Sequence, residues 1–152
     1  MRHRGRAPDP AGVAARWQDP AMDESTHVGV SIARPWREVY DFVADPTTLP
    51  QWAAGLAGTT LERVGDQWVT DSPMGRVSIE FTPDNDFGVL DHFVTLPSGE
   101  AVPNPVRVVP NGDGCDVLFT VRRRPGMSAD DFARDAATVA ADLDTLRKLM
   151  EQ

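Results

Sequence analysis

A single cysteine, Cys115, stands among 152 residues. It has no partner for an intrachain disulfide and cannot furnish an all-cysteine metal site. Histidine is also scarce. The two that fall in strand-like stretches, His27 and His92, lack the local spacing of metal ligands, so no zinc site and no other metal is expected. No apolar run approaches the roughly 18 residues that a membrane span needs. Excess positive charge is missing as well: 15 Lys and Arg face 23 Asp and Glu, for a formal charge of −8. A balance that acidic repels phosphate backbones and anionic lipid surfaces, which argues against a nucleic-acid partner. No phosphate-cradling glycine loop, serine nucleophile elbow or paired-carboxylate motif occurs. What remains is a soluble, cytoplasmic protein. Its length suits one domain, and 41% hydrophobic with 25% charged residues is a globular composition.

The charge is unevenly spread. Residues 1–21 carry Arg2, Arg4, Arg6 and Arg16 against Asp9 and Asp19, a net of +2, so the rest of the chain carries −10. This stretch also holds Pro8, Pro10 and Pro20, has no apolar periodicity and lacks the apolar segment of a secretory signal. Residues 1–22 therefore read as a disordered or irregular leader before a domain spanning 23–152. The alternative is that translation begins at Met22.

Within the domain, Val28, Val30 and Ile32 alternate with small and polar residues, the period-two signature of a half-buried strand. Pro35 then opens a short helix, on which Trp36, Val39, Tyr40 and Val43 form an apolar stripe. Asp45-Pro46 ends it, and a second short helix follows with Leu49, Trp52 and Ala53 on its buried side. From about residue 58 to 124, six candidate strands (59–64, 67–71, 76–82, 88–96, 100–109 and 115–123) are punctuated by turn clusters such as Gly65-Asp66 and Asn111-Gly112-Asp113-Gly114. Such short links make an antiparallel meander, irregular where Pro103 and Pro105 fall. Ser128 is a candidate N-cap with Asp131 three residues on. Phe132, Ala136, Val139, Leu143, Leu146 and Met150 then step by fours and threes, which predicts an amphipathic helix of about 23 residues. A coiled-coil dimer is the rival reading of that stripe, and its alanines fit a sheet-packed helix better. The expected fold is α+β: a curved, seven-stranded antiparallel sheet around a long C-terminal helix, with two short helices after the first strand.

This order, with the segments Val28-Gly29-Val30-Ser31-Ile32-Ala33-Arg34-Pro35, Val39-Tyr40-Asp41-Phe42-Val43 and Asp45-Pro46-Thr47-Thr48-Leu49-Pro50-Gln51-Trp52, resembles the START-like superfamily. That group is also called SRPBCC, or polyketide cyclase/dehydrase-like, and has the helix-grip fold. The resemblance covers roughly residues 26–151. It implies a cavity between sheet and terminal helix, but no common catalytic set, because the superfamily includes cyclases, lipid and hormone carriers, oxygenase domains and chaperone activators. The oxygenase branch needs an iron site, and no matching His/Asp constellation is present, so no cofactor is expected.

Several residues are candidates for such a cavity. Trp52 and Trp68 either reach it or fill core space. In Asp91-His92 the pleat sends neighbours to opposite faces, and His92 shares its side with Leu90, Val94 and Leu96, which favours His92 inward. There it is a hydrogen-bonding group or an acid/base catalyst, or else a structural histidine. Asn104 lies on the face of Val102, Val106 and Val108 and needs a partner, whether ligand or backbone. Val139 and Leu143 supply apolar contact from the long helix. Arg107 is expected outward, Arg122-Arg123-Arg124 reads as a solvated strand end, and Cys115 as a small buried residue. The resulting expectation is a monomer or homodimer that binds a small hydrophobic or aromatic ligand. Two alternatives stand beside it: a cyclase/dehydratase-type enzyme using His92, and a protein-interaction module with a collapsed cavity.

Overall fold

The computed structural model describes residues 22–152; the leader expected over 1–22 lies, apart from Met22, outside the described residues. Strand β1 (Ser25–Ile32) is followed by helix α1 (Trp36–Ala44), a 3-10 turn (Pro46–Thr48), the one-turn helix α2 (Leu49–Trp52) and a second 3-10 turn (Ala54–Leu56). Seven more strands follow: β2 (Glu62–Val64), β3 (Gln67–Ser72), β4 (Gly75–Phe81), β5 (His92–Thr95), β6 (Ala101–Asn104), β7 (Val106–Asn111) and β8 (Gly114–Arg122). Helix α3 (Ala129–Met150) closes the described chain.

The local chemistry explains the boundaries. Pro35 is extended and sits one residue before α1 rather than inside its first turn. Asp45 ends that helix, and its carboxylate accepts the Thr47 N–H at 3.0 Å to start the next turn. The Ser128 hydroxyl accepts the Asp131 N–H at 3.0 Å, so α3 has the N-cap its sequence predicts, with Asp130 and Asp131 at the positive end of the helix dipole. At the other end, Arg34 donates to the carbonyls of Met150 (2.8 Å) and Gln152 (2.9 Å).

All strand pairs are antiparallel, but they form two sheets rather than the expected single seven-stranded one: β2-β3-β4-β5-β6 and β1-β8-β7. The stretch expected as one strand over 100–109 divides at Pro105 into β6 and β7, and only His92–Thr95 of the stretch 88–96 is regular strand. The break has a specific cause. Leu90 N–H donates to the Val106 carbonyl at 2.9 Å, as a ladder requires, but Val106 N–H donates instead to the Asp91 carboxylate at 2.9 Å. The Leu90 carbonyl, released from the ladder, takes His92 Nδ1 at 3.1 Å. Pro105 has no N–H, while its carbonyl accepts Thr120 N–H of β8 at 2.9 Å. A lone bridge, Val89 to Arg107, carries the chain across the junction.

The core joins all layers. Val39, Tyr40 and Val43 of α1 are buried together with Ile32, Val106, Val108, Cys115 and Val117 of the three-stranded sheet and Leu143 and Leu146 of α3. The apolar stripe of α3 is buried fully only in its C-terminal half; Phe132, Ala136 and Val139 are half-buried. No helix among the described residues is long and apolar enough to cross a membrane.

Candidate functional site

Val139, in the half-buried part of the α3 stripe, faces a hollow of about 150 Å³. Its apolar wall comes from Leu49 of α2, Leu56 of the 3-10 turn after it, Ile79 of β4, Val94 of β5, Phe119 of β8 and Val139 of α3. Three polar side chains join this wall, Trp52, His92 and Asp142.

Trp52 ends α2, where the turn beginning at Asp45 buries Leu49 and Trp52 on the same side. Its indole Nε1–H is buried without a hydrogen-bond partner among the described residues. Leaving such a donor unpaired costs on the order of 1–3 kcal/mol. Trp52 also lines the hollow, so this unpaired donor belongs to a side chain that a bound group would touch.

His92 begins β5 on the same inner face as Leu90, and only 8% of it is exposed. Its ring stacks on Phe81 at 4.7 Å and meets Phe119 edge-on at 6.2 Å. A carbonyl can only accept, so the bond to Leu90 places the imidazole proton on Nδ1 and leaves Nε2 a lone pair. Burial pushes the His92 pKa below the ordinary histidine value, with the Leu90 bond and the Asp91 charge opposing that shift only in part. At neutral pH His92 is thus an uncharged acceptor on the hollow's wall. Its neighbour Asp91 faces the other way. Arg107 donates to the two Asp91 oxygens at 3.0 and 2.7 Å, and this pairing, foremost, holds the carboxyl below its usual range.

Asp142 was not among the residues expected from sequence. It lies one helical turn beyond Val139, at the margin of the apolar stripe, and that position was its only signal. Its carboxylate accepts Ala54 N–H at 3.1 Å, which ties α3 to the turn after Trp52. Burial raises its pKa, and the Ala54 bond offsets part of the rise.

Of the expected residues, the structure brings Trp52, His92 and Val139 together. Asn104 lies on the predicted face but lines a second hollow of about 200 Å³, next to Val102, Thr138 and, again, Val139. Trp68 of β3 and Leu143 of α3 pack in or against the core and line neither hollow. Phe119, legible as one of the inner-face residues of its strand, lines both. The arginine run is anchored at the strand end: Arg122 bonds Ser25, Arg123 meets Glu24, and Arg124 meets Glu100. Cys115 is fully buried and its thiol pKa is raised, which makes it a poor nucleophile. No group of three His, Cys, Asp or Glu that could hold a metal occurs among the described residues.

No family model matches the chain, and no curated protein matches it by sequence. Solved structures do share its fold. DynU16, a protein in the dynemicin biosynthetic locus, superposes with a TM-score of 0.63 at 20% identity over 86% of this chain. The chain spans 48% of DynU16, about half its length. KanY has a TM-score of 0.67 at 13% identity, covering 87% of this chain and 100% of KanY. XoxI from Bacillus cereus has a TM-score of 0.66 at 13% identity, covering 85% and 96%. At these identities the likeness is one of fold.

Proposed function

We propose that this chain is a START-like, helix-grip protein of the polyketide cyclase/dehydrase-like group. On this reading it binds a small, mostly apolar molecule in the hollow between the sheet and α3. The observation that carries the proposal is the pairing of an apolar wall with two unmet hydrogen-bonding atoms, the orphan Trp52 Nε1–H and the His92 Nε2 lone pair. A hydroxyl answers both, because it accepts from the indole and donates to the imidazole. A space of about 150 Å³ suits a body the size of a single ring. The fitting ligand is therefore a one-ring compound carrying a hydroxyl. Phenol is the simplest probe. Titrated into ¹⁵N-labelled protein, it should shift one indole N–H resonance, the one lost in Trp52→Phe. If no indole signal moves at millimolar phenol, the binding reading fails.

One observation favours a catalytic second reading: the same hollow carries an unprotonated imidazole nitrogen and a carboxyl of raised pKa. The imidazole nitrogen suits proton removal beside a carbonyl, a step that a cyclase or dehydratase uses. Cyclohexanone in D₂O tests it. Exchange of its α-protons should be faster with the protein than with His92→Gln, and equal rates would remove this reading while leaving the binding role intact.

A further inference from the structure

We propose that Phe119 and Val139 form a partition between two chambers, and that Phe119 thereby sets the length of ligand the chain accepts; this rests on the binding role above. The hollow of about 150 Å³ that carries Trp52 and His92 is called the inner chamber, and the hollow of about 200 Å³ that carries Asn104 the outer one. Phe119 and Val139 are the two residues that line both. They come from the two elements that face each other there, β8 and α3, so together they form a neck between sheet and helix.

The neck is rigid on its sheet side. Phe119 meets His92 edge-on, and His92 stacks on Phe81 and is pinned through Nδ1 to Leu90, so the three rings make one aromatic row. A ring held this way does not swing aside cheaply, since interiors are close-packed and bistable rather than pliant. The chambers also differ in chemistry. The outer one carries Arg122 and Arg124 against Asp23 and Asp135, with Asn104 and Thr138 between them. Arg124 is already committed to Glu100 at 3.0 Å and Arg122 to Ser25 at 2.9 Å. With Arg124 paired to Glu100, and Asp23 and Asp135 on the lining beside Arg122, the outer chamber has no excess of positive charge and suits an uncharged polar or alkyl extension rather than an anion. With the neck in place, the inner chamber takes a one-ring ligand and stops it there. With the neck removed, a substituent on the far side of the ring from its hydroxyl runs on towards Asn104.

The test compares phenol, 4-propylphenol and 4-hexylphenol by calorimetry on wild type, Phe119→Ala, Phe119→Leu and Val139→Ala, each checked for folding by circular dichroism. Wild type should bind phenol best and gain nothing from the alkyl chain. Phe119→Ala should prefer the longer phenols, by about fourfold for each methylene newly buried. Val139→Ala and Phe119→Leu should move the same way by less, and they carry the test if Phe119→Ala does not fold. An unchanged ratio of 4-hexylphenol to phenol affinity in folded variants overturns the partition and leaves the binding role standing. So does a wild type that already gains fourfold per methylene, because its chambers would then be continuous. If no protein binds any of the three phenols, the binding role fails and the partition fails with it.

Discussion

Acidification from about pH 7.5 to about 5.5 should weaken the fold through one side chain, His92. The folded state holds this imidazole neutral because burial disfavours its charge, so its folded pKa lies below the ordinary value of about 6.5 that it regains on unfolding. Between those two values the unfolded chain binds more protons than the folded one, and stability must fall as pH falls. One proton corresponds to about 1.4 kcal/mol per pH unit, so between pH 7.5 and 5.5 this group removes up to about 1.4 kcal/mol. Carboxylates act elsewhere or with the opposite sign. Asp91, Asp116 and Asp144 have lowered pKa values and withdraw stability only under more acid conditions, whereas Asp142, whose pKa is raised, favours the folded state as it protonates.

The comparison with His92→Gln isolates the effect, since glutamine keeps an N–H for the Leu90 carbonyl and does not titrate. Urea unfolding followed by tryptophan fluorescence across pH 5.5–7.5 gives the stability difference between the two proteins. That difference should shrink for wild type by up to about 1.4 kcal/mol towards pH 5.5. A difference that stays flat would mean that His92 is solvated and that the hollow does not shield it. A difference that grows in acid would mean that the imidazolium has a partner in the folded state. Either result refutes the account of Nε2 as a neutral acceptor.

Three further perturbations probe the surroundings. Asp91→Ala should cost about 1–3 kcal/mol in urea unfolding because it strands the buried Val106 N–H; Asp91→Asn, which keeps an acceptor and loses only a partly exposed ion pair, should cost less than about 1 kcal/mol. Gly88 has φ +72°, and a Cβ there would lie 2.1 Å from the Val108 carbonyl oxygen, so Gly88→Ala should sharply lower Tm and prise the 88–90 segment from β7, read as loss of amide protection at Val108. Asp142→Asn should raise stability at pH 7, where the buried carboxylate is charged at a cost, and the gain should vanish as pH falls through the folded pKa of Asp142; no gain in thermal unfolding at pH 7 would count against burial as the cause.

Which features were legible from sequence follows from the range of the interactions behind them. The N-cap signal of α3, its stripe, and the alternation that places Val102, Asn104, Val106 and Val108 on one face are local, and the structure shows each of them. The division into two sheets depends on a carboxylate outcompeting a carbonyl for Val106 N–H, fifteen residues away, and no period in the chain encodes that choice. Pro105 hinted at it, and the hint read only as irregularity. Likewise His92 was legible as inward by alternation, but its tautomer was not, because that depends on the Leu90 carbonyl being released by the same exchange. Asp142 escaped for another reason. A single carboxylate at the margin of an apolar helix stripe is ordinary in sequence, and it gains meaning only when Ala54 and Trp52 are brought against it.

The position of the hollow follows from side-chain size along one helix. Where α3 carries Leu143 and Leu146, the stripe is fully buried; where it carries Val139, the same stripe leaves space against Ile79, Val94 and Phe119. Nothing in helix or sheet geometry forbids a larger residue at 139, so the space is a matter of side-chain choice. Val139→Leu tests whether that choice costs stability. One more methylene placed in an apolar hollow of about 150 Å³ should add up to about 1 kcal/mol and raise Tm. The same substitution should weaken phenol binding, because Val139 lines the chamber that phenol occupies. A stabilised variant with unchanged phenol affinity would place the ligand elsewhere. A destabilised one would mean that the space is already filled by packing and that the collapsed-cavity reading describes the protein.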